Sequence, residues 1–297
     1  MNKVSKNTQR QTVGSKRKPT SAGRAAGHSA KGRKGKNTSV SSLFNRVGSR
    51  LFWIVIAAIT LILIVFVGKV VIDRPFSIIA RYGAIKYPNG DVRGIDISHY
   101  QREIDWEKLQ NAQINGVPVR FIFVKATEGS DLLDENFNEN FYQAHKHGIT
   151  RGAYHFFSVK STAKAQARWF CKMVWLDDDD LPPVLDIETD GGLPPYQLRA
   201  QALQWLDLVE KHYGVPPILY TSYAFRRKYL NTPEFDRYPY WIAHYYVDSL
   251  RYKGEWKFWQ HTDRGTVDGI DYKVDLNVFN GSYDDLMKLT IGATRKQ

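Results

Sequence analysis

The 297-residue sequence contains a single cysteine, Cys171, so no internal disulfide can form. Small secreted scaffolds usually depend on several disulfides, and a chain with one cysteine must rely on a hydrophobic core of its own. The sequence also lacks a Gly-rich phosphate loop, a serine nucleophile elbow, a CxxC pair and an HExxH motif. These absences argue against phosphate-loop, serine-hydrolase, thiol-redox and zinc-protease chemistry.

Acidic residues are absent from positions 1–50, which hold 13 of the 42 Lys and Arg residues. The rest of the chain has 29 basic and 30 acidic side chains and is close to neutral. The basic segment is rich in Gly, Ser, Thr and Lys and poor in apolar residues, which predicts a disordered tail over 1–50. We expect no nucleic-acid partner, with binding of the tail to anionic lipid or nucleic acid as the alternative.

Charge is absent from residues 51–68, and the apolar run extends to Ile72. Its 22 residues would form a helix of roughly 33 Å, enough to cross a bilayer core of about 30 Å. We predict a single transmembrane helix over 51–72, since a cleaved signal peptide would be shorter and end at a small-x-small site. A linker over 73–91 and a C-terminal tail over 287–297 would flank the remaining domain.

The positive-inside rule places the basic tail in the cytoplasm and the rest of the chain in the periplasm or outside the cell. The predicted location is therefore the cell (inner) membrane, with a single pass and membrane lipid as a partner.

Residues 92–286 alternate between β-rich runs and amphipathic helical stretches at 135–148, 162–175 and 196–214. This alternation predicts an α/β fold in which a parallel sheet closes as a TIM-like barrel. A full barrel needs about 250 residues, so we expect an irregular barrel with eight strands and fewer helices. The strand candidates are RGIDIS, RFIFVKAT, RGAYHFF, PPVLDIE, PPILYTS, YPYWIAHY, EWKFWQH and KVDLNVF.

Function in parallel barrels collects at the C-terminal ends of the strands. In LPPVLDIETDGG, residues 181–192, Asp186 and Glu188 point to the same side because strand side chains alternate with a period of two. Asp96 and Asp275 end the first and last candidate strands, which would be neighbours in a closed barrel. Carboxylates gathered in one pocket raise the pKa of at least one of them, which suits proton donation to a leaving oxygen.

Aromatic and polar side chains share these strand ends and favour a sugar ligand, whose apolar faces stack on aromatic rings. A divalent metal held by the carboxylates, with His99, His155, His244 or His261, is the alternative. No histidine lies in a known ligand spacing, so we expect neither metal nor cofactor. The predicted substrate-binding residues are Lys125, Tyr154, Phe156, Tyr220, Trp241, Trp259 and Gln260.

The ordered motifs RGIDISHYQREIDWEKL, FIFVKATEGSD, GAYHFF, PPVLDIE, YGVPPILYTS, YWIAHY, FWQHTD and VDLNVFNG resemble family 25 of the glycoside hydrolases over about residues 92–285. These are lysozymes that cut peptidoglycan between N-acetylmuramic acid and N-acetylglucosamine. The resemblance implies an irregular β/α barrel, with the catalytic acid at Glu188, the assisting aspartate at Asp186, and further pocket aspartates at Asp96 and Asp275.

The resemblance implies hydrolysis in which Glu188 protonates the glycosidic oxygen and later activates water. Asp186 would polarise the acetamido group of the substrate as the internal nucleophile. His244 and His261 depart from the family motifs WIAQY and WQY, which puts subsite preference in doubt. A peptidoglycan-binding module without strong catalysis and a chitinase-like acetamidosugar hydrolase are the alternative functions.

Overall fold

The computed structural model of the chain describes residues 53, 55–63, 85–250 and 254–297. Residues 55–63 form a helix with exposed side chains, outside the compact unit that spans Arg74–Gln297. No helix in the described parts of the chain is long and apolar enough to cross a bilayer. The predicted tail over 1–50 and more than half of the predicted transmembrane segment lie outside the described residues.

The strands of the described region are β1 Arg93–Ile97, β2 Gln113–Ile114, β3 Val117–Glu128, β4 Leu132–Leu133, β5 Thr150–Phe156, β6 Val184–Asp186, β7 Ile218–Ser222, β8 Tyr240–Ala243, β9 Phe258–Val267 and β10 Ile270–Phe279. Its α-helices are α1 Trp106–Leu109, α2 Phe137–Lys146, α3 Ala163–Met173, α4 Pro195–Tyr213, α5 Tyr223–Tyr229, α6 Tyr283–Lys288 and α7 Ile291–Thr294. Two 3-10 turns add His99–Gln101 and Pro233–Phe235.

Eight of these strands close into a barrel in the order β1, β3, β5, β6, β7, β8, β9, β10, with β10 pairing back to β1. The predicted irregular eight-stranded barrel is confirmed, and all eight strand candidates are strands. The prediction of an all-parallel sheet is wrong, because β10 runs antiparallel to both β9 and β1. Only Asp268 and Gly269 join β9 to β10, and a two-residue connection can join only antiparallel strands.

Helices are unevenly distributed around the barrel, as the short length predicts. The three long helices α2, α3 and α4 cover the first half, where predicted helical stretches lie. In the second half α5 has only seven residues, and the described residues between β8 and β9 contain no helix. Long helices therefore cover the first half of the barrel, whereas short connections and the β9–β10 hairpin form most of the second half.

Side chains on β3 show how the barrel core divides into two layers. Phe121 and Phe123 point to the interior, where Phe123 stacks on Trp241 with ring centroids 4.4 Å apart. Ile122 and Val124 point outward into the core beneath the helices. The period-two alternation predicted for the strands thus separates an aromatic interior from an aliphatic outer layer.

Two glycines let the interior rings approach the barrel wall. A Cβ atom at Gly94 on β1 would lie 2.5 Å from the ring of Phe121, and one at Gly152 on β5 would lie 2.6 Å from the ring of Phe123. Such separations are too short for carbon atoms in contact. Glycine at both positions therefore makes room for the aromatic layer that forms the floor of the barrel mouth.

The C-terminal residues 287–297, expected as a tail, pack against the barrel domain. Ile291 is fully buried, and the guanidinium group of Arg295 donates hydrogen bonds to the carbonyl oxygen of Tyr213 at the end of α4. Arg295 also pairs with Asp178 at 3.0 Å. This segment therefore packs at the end of the barrel opposite the mouth.

Candidate active site

A cavity of about 250 Å3 opens at the mouth of the barrel, at the C-terminal ends of the parallel strands. A larger cavity of about 440 Å3 lies at the opposite end, beside Pro182, Pro216 and Pro239, which precede β6, β7 and β8. We assign the site to the smaller cavity because buried carboxyls converge there. It is lined by Asp96, Ile97, Ser98, Tyr100, Gln101, Lys125, Tyr154, Phe156, Asp186, Glu188, Tyr220, Trp241, Tyr245, Gln260 and Asp275.

The first carboxyl pair joins the first and last strands of the barrel. Asp96 on β1 lies directly opposite Asp275 on β10 in the antiparallel ladder. Burial raises the pKa of Asp96 to about 6, although hydrogen bonds from Asn277 and Gln260 lower it. Burial, followed by the negative charge of Asp96, raises the pKa of Asp275 to about 9. Near neutral pH the pair therefore holds one shared proton.

The second carboxyl pair comes from the end of β6. Asp186 is buried, whereas the side chain of Glu188 reaches solvent through the cleft. Burial raises the pKa of Asp186 well above its usual range, and the charge of Glu188 raises it further. Partial desolvation of the Glu188 carboxyl by surrounding protein atoms raises its pKa, while its hydrogen bond with Asp186 lowers it. The two carboxyls therefore share a proton at pH values where isolated carboxyls would both be ionised.

Amide side chains hold the first pair in place. Gln260 Nε2 and Asn277 Nδ2 donate to the same oxygen, Asp96 Oδ2, at 2.8 and 2.7 Å. The indole of Trp241 donates to Asn277 Oδ1 at 2.8 Å, and the hydroxyl of Tyr220 donates to Gln260 Oε1 at 2.7 Å. Strands β7, β8, β9 and β10 thus all contribute to the orientation of one carboxylate on β1.

The predicted substrate-binding residues mostly lie where expected. Tyr154, Phe156, Tyr220, Trp241, Gln260 and Lys125 all line the cavity. Lys125 Nζ pairs with Glu128 at 2.7 Å and lies 5.1 Å from the ring centroid of Phe156. Its positive charge lowers the pKa of Asp186, against the larger effect of burial. The cavity therefore combines acidic residues, aromatic faces and one ammonium group.

Trp259 departs from the prediction. Its neighbours on β9, Phe258 and Gln260, both face the barrel interior, so Trp259 faces outward. There its indole donates to the carbonyl oxygen of His244 and its ring contacts Trp256 edge-on. The ring is buried away from the cavity, and Trp259 cannot contact a ligand bound at the mouth.

The histidines near the strand ends also lie outside the cavity. His155 is fully buried in the outer layer, where its ring stacks on Trp205 and burial lowers its pKa to about 4. His244 stacks on Tyr223, and His261 faces outward against Tyr87. No group of three His, Cys, Asp or Glu residues within the described ranges has the arrangement of a metal site.

The structure adds residues that the sequence analysis missed. Ser98, Tyr100 and Gln101 line the cavity from the 3-10 turn after β1, and Tyr245 lies just beyond β8. The side chain of Gln101 accepts from the amide of Ser98 and donates to the carbonyl oxygen of Lys273, which fixes the turn against β10. In the sequence, the polar run SHYQ directly after the first strand could have identified the three residues on this turn as candidates for the site.

Comparison with known proteins identifies the family. The family profile described as Glycosyl hydrolases family 25 matches residues 95–270, more than half of the chain. The chain belongs to glycosyl hydrolase family 25. As a family 25 member it is a glycoside hydrolase of the lysozyme type, and every residue that lines the cavity except Asp275 lies within the matched region.

Individual relatives agree with this assignment. Lysozyme M1 of Streptomyces globisporus is 33% identical over 213 residues, covering 67% of this chain and 71% of that protein. The Escherichia coli K12 protein YegX is 43% identical over 211 residues, covering 70% and 77%. Among solved structures, a bacterial lysozyme from Streptomyces coelicolor has a TM-score of 0.62 at 32% identity, covering 69% of this chain and 99% of the other. A family 25 glycosyl hydrolase from Bacillus anthracis has a TM-score of 0.63 at 31% identity, covering 70% and 98%.

Proposed function

We propose that this protein is a membrane-anchored peptidoglycan hydrolase that cleaves the β-1,4 bond between N-acetylmuramic acid and N-acetylglucosamine. The observation that carries the proposal is the convergence of two carboxyl pairs in an aromatic-walled cavity of a family 25 barrel. The printed names of relatives support the substrate class, since they include Lysozyme M1 and the N,O-diacetylmuramidase of Chalaropsis.

In the proposed mechanism Glu188 is the general acid. Its carboxyl reaches the cleft, so it can approach the glycosidic oxygen of a bound strand. Its raised pKa favours the protonated form that the first step needs. Substrate that excludes water from the cleft would raise the pKa further, because desolvation disfavours the charged form. After the leaving group departs, the carboxylate of Glu188 accepts a proton from water.

Asp186 assists from the same strand. It is two residues from Glu188 and faces the same side, so it is badly placed to attack the opposite face of the sugar ring. We assign it to the acetamido group of the muramic acid residue, whose carbonyl oxygen would attack the anomeric carbon. Oδ1 of Asp186 has no hydrogen-bond partner among the described residues, which leaves an unused acceptor that we assign to the acetamido N–H.

The remaining cavity residues bind the sugar in this proposal. Ionised Asp96 supplies negative charge facing the oxocarbenium-like transition state, and protonated Asp275 donates its one O–H to Asp96. Lys125 and the second N–H of Gln260 Nε2 provide hydrogen-bond donors. The aromatic rings that line the cavity contact apolar sugar faces; they are Tyr154, Phe156, Tyr220 and Trp241.

Membrane anchoring is a separate part of the proposal. It is supported by the uncharged run over 51–68 and by the 13 basic residues that precede it. In the described part of this run the exposed side chains include Ile59, Leu61 and Ile62. We propose a cytoplasmic N-terminus and a barrel that lies in the periplasm or outside the cell.

Digestion of purified peptidoglycan by the detergent-solubilised full-length protein, followed by mass analysis of the products, tests the activity. We expect fragments with muramic acid at the new reducing end. Glucosamine at that end would reject the muramidase assignment in favour of a chitinase-like hydrolase. Binding to the wall without release of reducing ends at any pH from 4 to 8 would instead indicate a binding module.

A reporter fused after residue 297 tests the topology. A reporter that is active only in the cytoplasm should be silent there, whereas the same reporter fused directly after residue 50 should be active. Activity of the C-terminal fusion would contradict the proposed orientation.

A further inference from the structure

We propose that Asn277 and Gln260 are positioning residues that keep Asp96 as the ionised member of its carboxyl pair and leave the shared proton on Asp275. The proposal rests on hydrogen-bond geometry inside the barrel mouth, and only its catalytic consequence depends on the proposed function. It assigns these two buried amides a role that is separate from any contact with substrate.

Both amides donate to a single oxygen. Asn277 Nδ2 lies 2.7 Å and Gln260 Nε2 lies 2.8 Å from Asp96 Oδ2, and all three side chains are at least nine-tenths buried. A carboxylate oxygen has two lone-pair directions in its plane, and these two donors fill them. A proton cannot also reside on Oδ2. Any proton shared with Asp275 must therefore lie at the other oxygen of Asp96, where Asp275 can be the donor.

The orientation of the Asn277 amide follows from Trp241. An indole N–H can only donate, and it donates to Asn277 Oδ1 at 2.8 Å. A rotated amide would bring two donors together at Trp241 and two acceptors together at Asp96. Asn277 is fully buried, so water cannot relieve such a clash. Trp241 thus determines that Asn277 presents a donor to Asp96.

The Gln260 amide is held differently. Its Oε1 accepts from two phenols, Tyr220 at 2.7 Å and Tyr245 at 2.5 Å. A phenol can donate or accept, so this arm could in principle adapt to a rotated amide. The Asn277 arm is therefore the stricter determinant of the Asp96 charge, and the Gln260 arm reinforces it.

The charge state matters because the pair lies among other titratable groups. An ionised Asp96 places a permanent negative charge under the sugar site, and a neutral Asp275 donates its hydroxyl to the free oxygen of Asp96. Rotation of the Asn277 amide would place an acceptor against Asp96 Oδ2 and would favour a proton on Asp96 instead of Asp275. The titratable groups that face the pair are Glu188 and Asp186 at the end of β6, Lys125 on β3, Tyr154 on β5, Tyr220 on β7, Tyr245 after β8 and Asp263 on β9.

Titration of aspartate carboxyl carbons by NMR in the full-length protein tests the proposal without any substrate. Asp96→Asn and Asp275→Asn variants would identify the two resonances. In the unsubstituted protein Asp96 should ionise at a lower pH than Asp275. In Asn277→Asp, which keeps the side-chain shape but removes a fixed donor, the midpoint of Asp96 should rise by at least about one pH unit. An Asp96 midpoint above that of Asp275, or one unmoved in Asn277→Asp, would overturn the proposal.

Two further variants keep the test decisive. Trp241→Phe leaves Asn277 in place but frees its amide to rotate, and should raise the Asp96 midpoint in the same direction by a smaller amount. Gln166→Glu is the matched control, since Gln166 is a buried amide in the outer layer bonded to His155 and Ser158. It should leave both midpoints unchanged even if it destabilises the fold. A shift as large in Gln166→Glu as in Asn277→Asp would show a general effect of buried acids and overturn the assignment.

The acidic limb of the kcat/KM profile on peptidoglycan gives the second readout. Asn277→Asp should move this limb upward together with the Asp96 midpoint, because kcat/KM reports ionisations of the free enzyme. If the NMR midpoints behave as expected but the unsubstituted protein digests no peptidoglycan, the proposed function fails while the positioning role stands.

Discussion

The two carboxyl pairs at the barrel mouth are held in different ways. Asp96 accepts from two amides whose own orientations are set by Trp241 and by buried phenols. Asp186, in contrast, has a buried oxygen with no hydrogen-bond partner among the described residues, and its neighbour Glu188 reaches solvent. Both pairs are acidic and crowded, so charge repulsion alone does not distinguish them.

The difference indicates a division of roles. Amide donors held in fixed orientations stabilise the ionised form of Asp96 and make its protonation costly. This arrangement suits a residue whose negative charge stays constant through the reaction. A carboxyl that first donates and later accepts a proton needs two states of similar free energy. The sparsely bonded Asp186–Glu188 pair provides them. Substitutions that change one pair and spare the other therefore test this division.

Glu188→Gln should have the largest effect. The amide keeps the shape of the side chain but cannot give up a proton to the glycosidic oxygen. General acid catalysis contributes about 10²–10⁴-fold, and Glu188 would also act as base, so activity on peptidoglycan should fall to background. Turbidity and reducing-end assays measure the loss. Wall binding and the thermal unfolding midpoint should stay close to those of the unsubstituted protein, and retention of more than about a tenth of the activity would refute the role.

Asp186→Asn should rank second, with a loss of roughly 10- to 1000-fold that leaves measurable turnover. An amide polarises the acetamido group poorly. The pH dependence of the remaining activity should also shift, because the two carboxyls together keep one proton up to a higher pH than Glu188 does alone. The alkaline limb of the kcat/KM profile should therefore move to lower pH. An unchanged or upward-shifted limb would show that Asp186 does not share the proton of Glu188.

Trp241→Phe and Trp259→Phe form a matched pair on neighbouring strands. Trp241 lines the cavity and bonds Asn277, whereas Trp259 faces away and bonds the backbone of His244. For Trp241→Phe, kcat/KM should fall by about tenfold or more, because the lost indole hydrogen bond orients the Asn277 amide that donates to the Asp96 carboxylate. Trp259→Phe should change kcat/KM by less than about twofold and lower only the unfolding midpoint. Equal kinetic effects would contradict the assignment of Trp259 to the outer layer.

Asp275→Asn should have the smallest effect, and it concerns stability. The pKa of Asp275 is raised in the folded state to about 9 from an unfolded value near 3.8. The folded state therefore binds more protons, and the stability that the protonated carboxyl provides is lost as pH rises from about 4 through about 9. Asn cannot ionise, so its replacement of Asp275 removes this loss. At pH 9 the free energy of unfolding of the variant should exceed that of the unsubstituted protein by at least about 1 kcal/mol, and at pH 4 it should not. Urea denaturation at both pH values measures the gain, and an equal gain at pH 4 would rule out a titration origin.

Local periodicity predicted most of the barrel. Period-two runs located all eight barrel strands, and period 3.6 located α2, α3 and α4. Periodicity could not show that β10 runs antiparallel to its neighbours, because the relative direction of two strands depends on which strands pair. A local signal did exist. Asp268 and Gly269 stand between alternating apolar residues, a combination that indicates a hairpin and hence an antiparallel strand.

The same periodicity explains which cavity residues were placed correctly. Asp186 faces the mouth because Leu185 and Ile187 face the helices. Trp259 and Gln260 are adjacent on β9, so both could not face the cavity. Tyr100 and Tyr245 lie on turns after the strands, where neither period applies. The turn that carries Tyr100 is oriented by a bond from Gln101 to a carbonyl 172 positions away, which no local pattern contains.

The pairing of β1 with β10 has a consequence for when the enzyme becomes active. Asp96 receives its hydrogen bonds from residues 164 and 181 positions further along the chain. Contacts of such long sequence separation form only after intervening segments have folded or at least collapsed. The mouth therefore cannot be completed before β10 has been synthesised and paired with β1. A chain interrupted before β10 would carry Asp186 and Glu188 but would lack Asp275 and the Asn277 amide that orients Asp96, so under the proposed mechanism it should be inactive.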